Sequence, residues 1–434
     1  MTAIERRTFL QQAGVASAFV AIGAATAQAD ASRKLTIAVI GTGGMGTNHV
    51  RNLAARKDIH FAYVCDVDQN RLANAAKIVT DSGHPAPQAV GDLRKVLDDK
   101  SVDAVWIATP DHWHTPAAIL ALDAGKHVYV EKPCCHNVRE GRLLANAVKK
   151  SGKFLQVGTQ SRSTPTVREG IERVLNGEIG DVLVSKAWNS QRRSSIGKSQ
   201  PSTPPATLDF ETWLGPVPAV PYRSNLLPGI WRWWYDFGCG DIGNDGVHDI
   251  DVACWGLGVQ THPSLVSCLG GKYFFDDDQQ FPDTQYAIFE YPQSGSTIRK
   301  QLIFEQRIWS PYVQEGYENG AAFYGTNGML IIGHTVGWKL FGPKNKLIAE
   351  RTGGVDLVAH HDNFLGCIRG EQKQTNADVQ AGLMSAALVH LANISARVGR
   401  TLQFDPQTEQ ILNDPAASKL LGREYRAAHW AALS

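Results

Sequence analysis

Gly41-Thr42-Gly43-Gly44-Met45-Gly46 is a G-x-G-x-x-G run directly after the apolar run Leu35–Ile40. In that setting Gly41 allows a tight turn, Gly43 lets backbone approach a pyrophosphate closely, and Gly46 lets the following helix pack against the strand. Gly44 and Met45 fall at the start of that helix, where unpaired N–H groups and partial positive charge favour an anion. Asp66 ends the next apolar run about twenty residues on, where a carboxylate can accept both hydroxyls of an adenosine ribose. This pairing points to NAD. NADP is disfavoured by the charges of Asp66 and Asp68 unless Arg71 swings in to meet a 2′-phosphate.

Four further clusters carry chemistry. Thr109-Pro110-Asp111-His112-Trp113-His114 and Glu131-Lys132-Pro133 each close an apolar run, so both fall at the carboxyl edge of a sheet, where open α/β sheets place ligands. Lys132 is thereby aimed at the nicotinamide end. His112 and His114 stand two apart without Cys or carboxylates at ligand spacing, which argues for capping and cofactor contact and against a metal. Asn244-Asp245-Gly246-Val247-His248-Asp249 opens a predicted helix through Trp255, and Trp231-Arg232-Trp233-Trp234-Tyr235 precedes it. The aromatic faces and Arg fork of Arg232, Trp233 and Tyr235 suit a sugar ring, with about half of that cluster expected in the core.

The elements that must position these groups follow from periodicity. From Leu35 to about Gln160, short β-branched apolar runs alternate with helical segments, the mark of a doubly wound parallel sheet. A helix over Thr164–Asn176 and a strand over Val182–Ala187 come next, followed by some forty residues rich in Pro, Ser and Gly up to Trp231, a length at which loops are usually functional or poorly ordered. Strand-like runs at Leu265–Cys268, Tyr286–Tyr291, Thr297–Glu305 and Met329–Ile332 have no helices between them and predict a mostly antiparallel sheet. Helices over Asp356–Arg369 and Asp378–Val398 close the chain and are expected to pack back on one of the domains. The expected organisation is a leader at 1–29, an α/β Rossmann domain at 30–160 and an α+β domain at 161–434.

The leader has Arg6-Arg7 before Phe9-Leu10, an apolar stretch to Ala27 and a small-residue site at Ala27-Gln28-Ala29. It resembles a twin-arginine export signal, which implies a periplasmic or otherwise exported protein. The chain has 43 basic and 42 acidic residues; loss of Glu5, Arg6 and Arg7 leaves it balanced. A balanced chain offers no footprint for nucleic acid or anionic lipid. Seven cysteines without a C-x-x-C pair argue against a disulfide framework or structural zinc.

The glycine turn, T-P-x-x-x-H at Thr109–His114, and A-L-x-A-G-K-H-V-x-x-E-K-P at Ala121–Pro133 resemble the Gfo/Idh/MocA family of glucose-fructose oxidoreductases, inositol dehydrogenases and sugar dehydrogenases. The resemblance implies cofactor contacts at Thr109, Pro110, His114, Glu131 and Gln160, and a Lys132 that touches both nicotinamide ribose and substrate. It also implies His248 as the base for a substrate hydroxyl, held by an Asp four residues earlier. Here that position is Asn244, which can orient an imidazole but cannot stabilise its cation. Asp245, three residues before His248 on a helix, offers a carboxylate on the same side. The implied activity is NAD-dependent hydride transfer from a sugar, cyclitol or sugar derivative by an exported homo-oligomer that recycles a tightly bound cofactor. An NAD-dependent glycosidase or lyase working through transient oxidation, and a non-catalytic dinucleotide sensor, are the alternatives.

Overall fold

The apolar runs of the N-terminal third become six parallel strands. The computed structural model describes residues 33–433 apart from Pro228, 293–298 and Pro311; the leader read at 1–29 lies outside them, as does the start of the strand expected from Thr297. Strands β1 (Leu35–Ile40), β2 (Ile59–Cys65), β3 (Gln88–Val90), β4 (Ala104–Ile107), β5 (His127–Val130) and β6 (Leu155–Val157) lie in the order β3-β2-β1-β4-β5-β6. β4 and β6 are buried at every residue, which is why they read as continuous apolar runs without alternation. Helices α1 (Gly44–Ala54), α2 (Gln69–Asp81), α3 (Leu93–Asp98), α4 (Asp111–Asp123) and α5 (Val138–Ser151) connect them. The order reverses between β1 and β4, so the connections leaving these two strands diverge and open a crevice at their carboxyl ends.

After α6 (Pro165–Leu175) the second sheet begins with β7 (Val182–Asn189) and continues, past α7 (Phe210–Leu214) and α8 (Val247–Leu257), with β8 (Leu265–Gly271), β9 (Thr284–Tyr291), β10 (Lys300–Arg307), β11 (Asn319–Gly325), β12 (Met329–Gly333), β13 (Gly337–Gly342), β14 (Lys346–Thr352), β15 (Leu402–Asp405) and β16 (Gln410–Ile411). Its order is β14-β13-β12-β11-β7-β10-β9-β8-β15-β16, antiparallel throughout except where β7 and β10 run parallel. Helices α6, α8 and α10 (Val379–Val398) cover one face. The other face leaves Leu269, Tyr286 and Ile288 exposed. Five of these ten strands are legible as apolar runs in the sequence; in β11 the large side chains Phe323 and Tyr324 are adjacent and follow small residues, and β14 is an exposed edge, so neither shows the alternation of a half-buried strand.

The two late helices bind the two sheets into one compact unit that starts at Lys34. Asp356 caps α9 (Leu357–Arg369), accepting from Ala359 N–H, and Asp378 caps α10, accepting from Ala381 N–H. α9 places Phe364 and Leu365 in the core of the first sheet with Trp106 and Tyr129. α10 inserts Leu383 and Ala386 into the first core and Leu388, Leu391 and Ile394 into the second, each large side chain contributing about 1.5–3 kcal/mol by burial. The Pro- and Ser-rich segment before Trp231 is pinned: Gln69 N–H donates to Thr207 O (2.9 Å) and Asp209 N–H to Val67 O (3.0 Å), joining it to the β2–α2 connection. All seven cysteines are buried free thiols.

Candidate active site

The glycine turn behaves as its spacing implies. Gly41 sits at φ +81°, and a Cβ there would stand 2.7 Å from the carbonyl carbon of Ala108; a Cβ on Gly46 would overlap Gly41 O. Gly44, the first residue of α1, faces open space, and no side chain caps the helix. Its N–H groups line a cavity of about 720 Å³ whose wall includes Gly43, Met45, Asp66, Arg71, Thr109, Pro110, His114, Glu131 and Lys132. The Asp66 carboxylate is fixed by Thr42 N–H (2.6 Å), Thr42 Oγ1 (3.0 Å) and Asp68 N–H (2.9 Å), and still lines the cavity. Arg71 lies over Gly43 and 3.7 Å from Asp68. Thr109 Oγ1 is buried in this wall without a partner among the described residues. An uncapped helix end, a carboxylate at the end of β2, an orphaned hydroxyl and a volume within the roughly 300–1,000 Å³ of cofactor pockets fit NAD.

At the inner end, Lys132 Nζ donates to Asn244 O (2.7 Å) and lies 3.5 Å from Asn244 Oδ1, which ties the end of β5 to the segment before α8. Beside it Glu131 is buried and receives His49 Nε2 at 2.8 Å; His49 in turn meets His361 Nε2 at 2.9 Å. Burial pushes the Glu131 pKa up, but the His49 hydrogen bond and the charge of Lys132 outweigh it and hold it below the usual carboxylate range. His114 is clamped between Pro133 O (2.7 Å) and Thr109 O (2.9 Å), and His112 by Trp213 O (2.9 Å), so both rings brace the edge of the sheet.

The sequence reading needs correction at the base and at the aromatic cluster. Residues Ile242–Gly246 form a π-helical turn before α8, so the three- and four-residue spacings of an α-helix do not apply to Asp245 and Asn244. Asp245 pairs with Arg193 and so does not hold His248; Asn244 gives its amide to Asp241 (3.0 Å) and its carbonyls to Lys132. His248 is buried, and burial first, then Lys132, push its pKa well below the ordinary histidine value. Trp233 is core, and Tyr235 packs on Phe281 and Arg397, so the cavity takes only Trp231 and Arg232 from that cluster. Gln160 is buried beside Tyr129 and does not line the cavity.

Asp111 and Trp430 also line the cavity; His334, and the His248 it stands against, do not. Asp111, at the start of α4, is a buried carboxyl in the cavity wall; burial raises its pKa against the opposing charges of His114, Lys132 and Arg232. His334, in the turn after β12, stands against His248 with ring centroids 5.1 Å apart. Trp430, from the C-terminal segment, lines the cavity and stacks under Arg94 (4.7 Å). Asp111 lies inside a motif legible in the sequence; Trp430 reaches the cavity, and His334 reaches His248, only through the tertiary fold.

Residues 35–159 match the NAD-binding Rossmann-fold model of the Gfo/Idh/MocA oxidoreductase family, and 182–292 with 346–432 match that family's C-terminal α/β domain. The chain belongs to the Gfo/Idh/MocA family. Residues 35–159, matched to that NAD-binding Rossmann-fold model, supply much of the cleft's wall. This family member is 30% identical to the scyllo-inositol 2-dehydrogenase (NAD(+)) of Bacillus subtilis, over 68% of this chain and 73% of that one. It is 33% identical to a glycosyl hydrolase family 109 protein of Saccharopolyspora erythraea over 36% of this chain and 34% of that one. It spans only about a third to a half of the length of several such curated relatives. The fold matches a levoglucosan dehydrogenase solved with NADH at TM-score 0.65, covering 85% of this chain and 98% of that one at 19% identity.

Proposed function

We propose that this chain is an exported oxidoreductase that uses NAD to oxidise a secondary alcohol of a sugar, cyclitol or sugar derivative, and that it keeps its dinucleotide between turnovers. Lys132 carries the reading: an ammonium fixed by Asn244 O at the inner end of a cleft with Asp66 at its other end and an uncapped helix between. NAD bound in the cleft supplies the hydride acceptor. Lys132 polarises the substrate oxygen, and His248, which burial keeps neutral at pH 7, takes the hydroxyl proton. The inositol and levoglucosan dehydrogenases among its relatives support a carbohydrate substrate.

Export is read from Arg6-Arg7-x-Phe9-Leu10 and places the enzyme where free NAD is scarce. Retention draws support from the segment hydrogen-bonded across the β2–α2 connection and from Trp430, which flank the cleft. The open face of the second sheet is the proposed contact for a homo-oligomer. The deciding experiment purifies the mature protein without added cofactor, denatures it and measures released dinucleotide by mass spectrometry. Close to one NAD per chain supports a retained, recycled cofactor, with paired sugars as substrates; none, with normal binding of added NAD, leaves an ordinary dehydrogenase.

Asp111 favours a second reading. A buried carboxyl in the cavity wall, its pKa raised by burial, is placed to give a proton to a leaving group, as a glycosidase or lyase working through transient oxidation requires. Release of nitrophenol from a nitrophenyl glycoside only with NAD bound decides for it; release without NAD, or none, decides against it.

A further inference from the structure

Asn244 and Asp245 leave His248 without a supporting carboxylate, and the fold brings another one to its side. The His334 ring stands edge-on to that of His248, centroids 5.1 Å apart at 79°. Its Nδ1 lies 2.9 Å from Asp249 Oδ1, and Asp249 is the residue after His248 on α8. Asp249 is buried, whereas the His334 side chain keeps 17% of its surface in solvent. An imidazole with one nitrogen held by a carboxylate and the other free is the arrangement that orients a ring and stabilises its cation.

We propose that His334, held by Asp249, is the positioning residue that makes His248 an effective base, taking over the proton His248 receives and releasing it to water. The proposal rests on the dehydrogenase reading above. The proton balance is closed. As the carbinol is oxidised at the expense of the dinucleotide, its O–H bond breaks and an N–H bond forms on His248. The rings touch edge-on without a hydrogen bond between them in this structure, so the transfer must close that contact: the N–H bond on His248 breaks as one forms on His334 Nε2, and the proton then leaves for bulk solvent. Both rings return to their starting state, and the substrate leaves as a carbonyl compound.

The charges around the pair give the transfer its direction. His334 faces Asp249 from α8, Asp245 from the π-helical turn and Lys132 from the end of β5; burial lowers its pKa, but Asp249 and Asp245 together raise it above the ordinary value. His248 faces Lys132, His334 and His360 of α9, all cationic when protonated, which act with burial to lower it. With His334 neutral, burial and Lys132 still disfavour the cation on His248 while Asp249 and Asp245 favour it on His334, so a proton on His248 moves downhill to His334.

The test compares wild type, His334→Gln and Asp249→Asn as full-length proteins with isotopically labelled histidine, titrated by NMR from about pH 5 to about pH 9 and assayed for carbinol oxidation by NADH formation. In wild type, His334 is expected to titrate above about 6.5 and to fall in Asp249→Asn, while His248 moves up in His334→Gln. With His334→Gln, kcat is expected to drop about 10- to 100-fold with KM unchanged, and the acid limb of the pH profile to move to lower pH. His334 titrating at or below the ordinary value, or a His334→Gln profile superimposable on wild type, overturns the proposal. His334 is partly exposed, so its variant keeps the test open if Asp249→Asn does not fold. If wild type oxidises no carbinol, the dehydrogenase reading fails by itself. The response of His248 to loss of His334 still decides whether the two rings share a proton.

Discussion

At Lys132 a methionine would keep the apolar stem and remove the ammonium that Asn244 O holds. Lys132→Met is expected to lower kcat by about 10²–10³ while changing NAD affinity only a few-fold, as befits a group that acts on charge developing at the substrate oxygen. Single-turnover rates and dinucleotide titration check this; an equal loss in both would make Lys132 a cofactor ligand only. Glu131 gives a pH-dependent prediction. Its folded pKa is lowered, so its contribution to stability is complete above the unfolded value of about 4.3 and is lost as pH falls through the lower folded value. Glu131→Gln should cost about 1–3 kcal/mol at neutral pH and remove that part of the acid dependence, read from thermal melts across pH. Gly41, Asp66 and Lys132 were legible because each lies at the end of an apolar run, where local pattern predicts the sheet edge. His334 was not, because it meets Asp249 across 85 residues with no local signal.

Among elements, the β1–α1 turn is the one whose sequence determines its geometry most tightly. Gly46→Val puts a side chain onto Gly41 O, and the expected result is a loss on the order of 1–3 kcal/mol with loss of dinucleotide binding, measured by melting and calorimetric titration. Wild-type melting with NAD still bound would show the turn to be more yielding than its contacts imply. The π-helical turn at Ile242–Gly246 shows the limit of periodicity: its two glycines, Asn and Asp are weak α-helix formers, and the change of pitch follows from what they bond to. Asp241 and Asp245 are both drawn to Arg193, from the segment after β7, and Asn244 to Asp241 and Lys132. The segment from about 190 to 230 was legible as irregular backbone but not as ordered structure. Its Trp213, Leu214, Val217 and Leu226 build a small core with Phe237 that no spacing along the chain announces.

For the whole molecule, the open face of the ten-stranded sheet carries the clearest prediction. Leu269 and Tyr286 are cross-strand partners on β8 and β9, and Ile288 follows on the same face, all exposed. Exposed apolar side chains gathered on one sheet face mark an interaction surface. Tyr286→Glu combined with Ile288→Lys is expected to convert an oligomer to monomer in sedimentation velocity while leaving the melting profile close to wild type. A wild-type chain that sediments as a monomer would refute the assignment of this face.

Helix α10 sets the order in which the molecule can become itself. The core of the first sheet is unfinished until Leu383 and Ala386 arrive on it, so the nucleotide-binding half waits for nearly the last part of the chain to be synthesised. Until then Val379–Val398 is a twenty-residue apolar segment long enough to span a bilayer, and 78% of its most apolar window is hidden only once folding is complete. A secretion channel that threads unfolded polypeptide would meet that segment exposed. A route that carries the finished protein never meets it, which gives the folded export proposed for this enzyme a reason in its architecture as well as in its first residues.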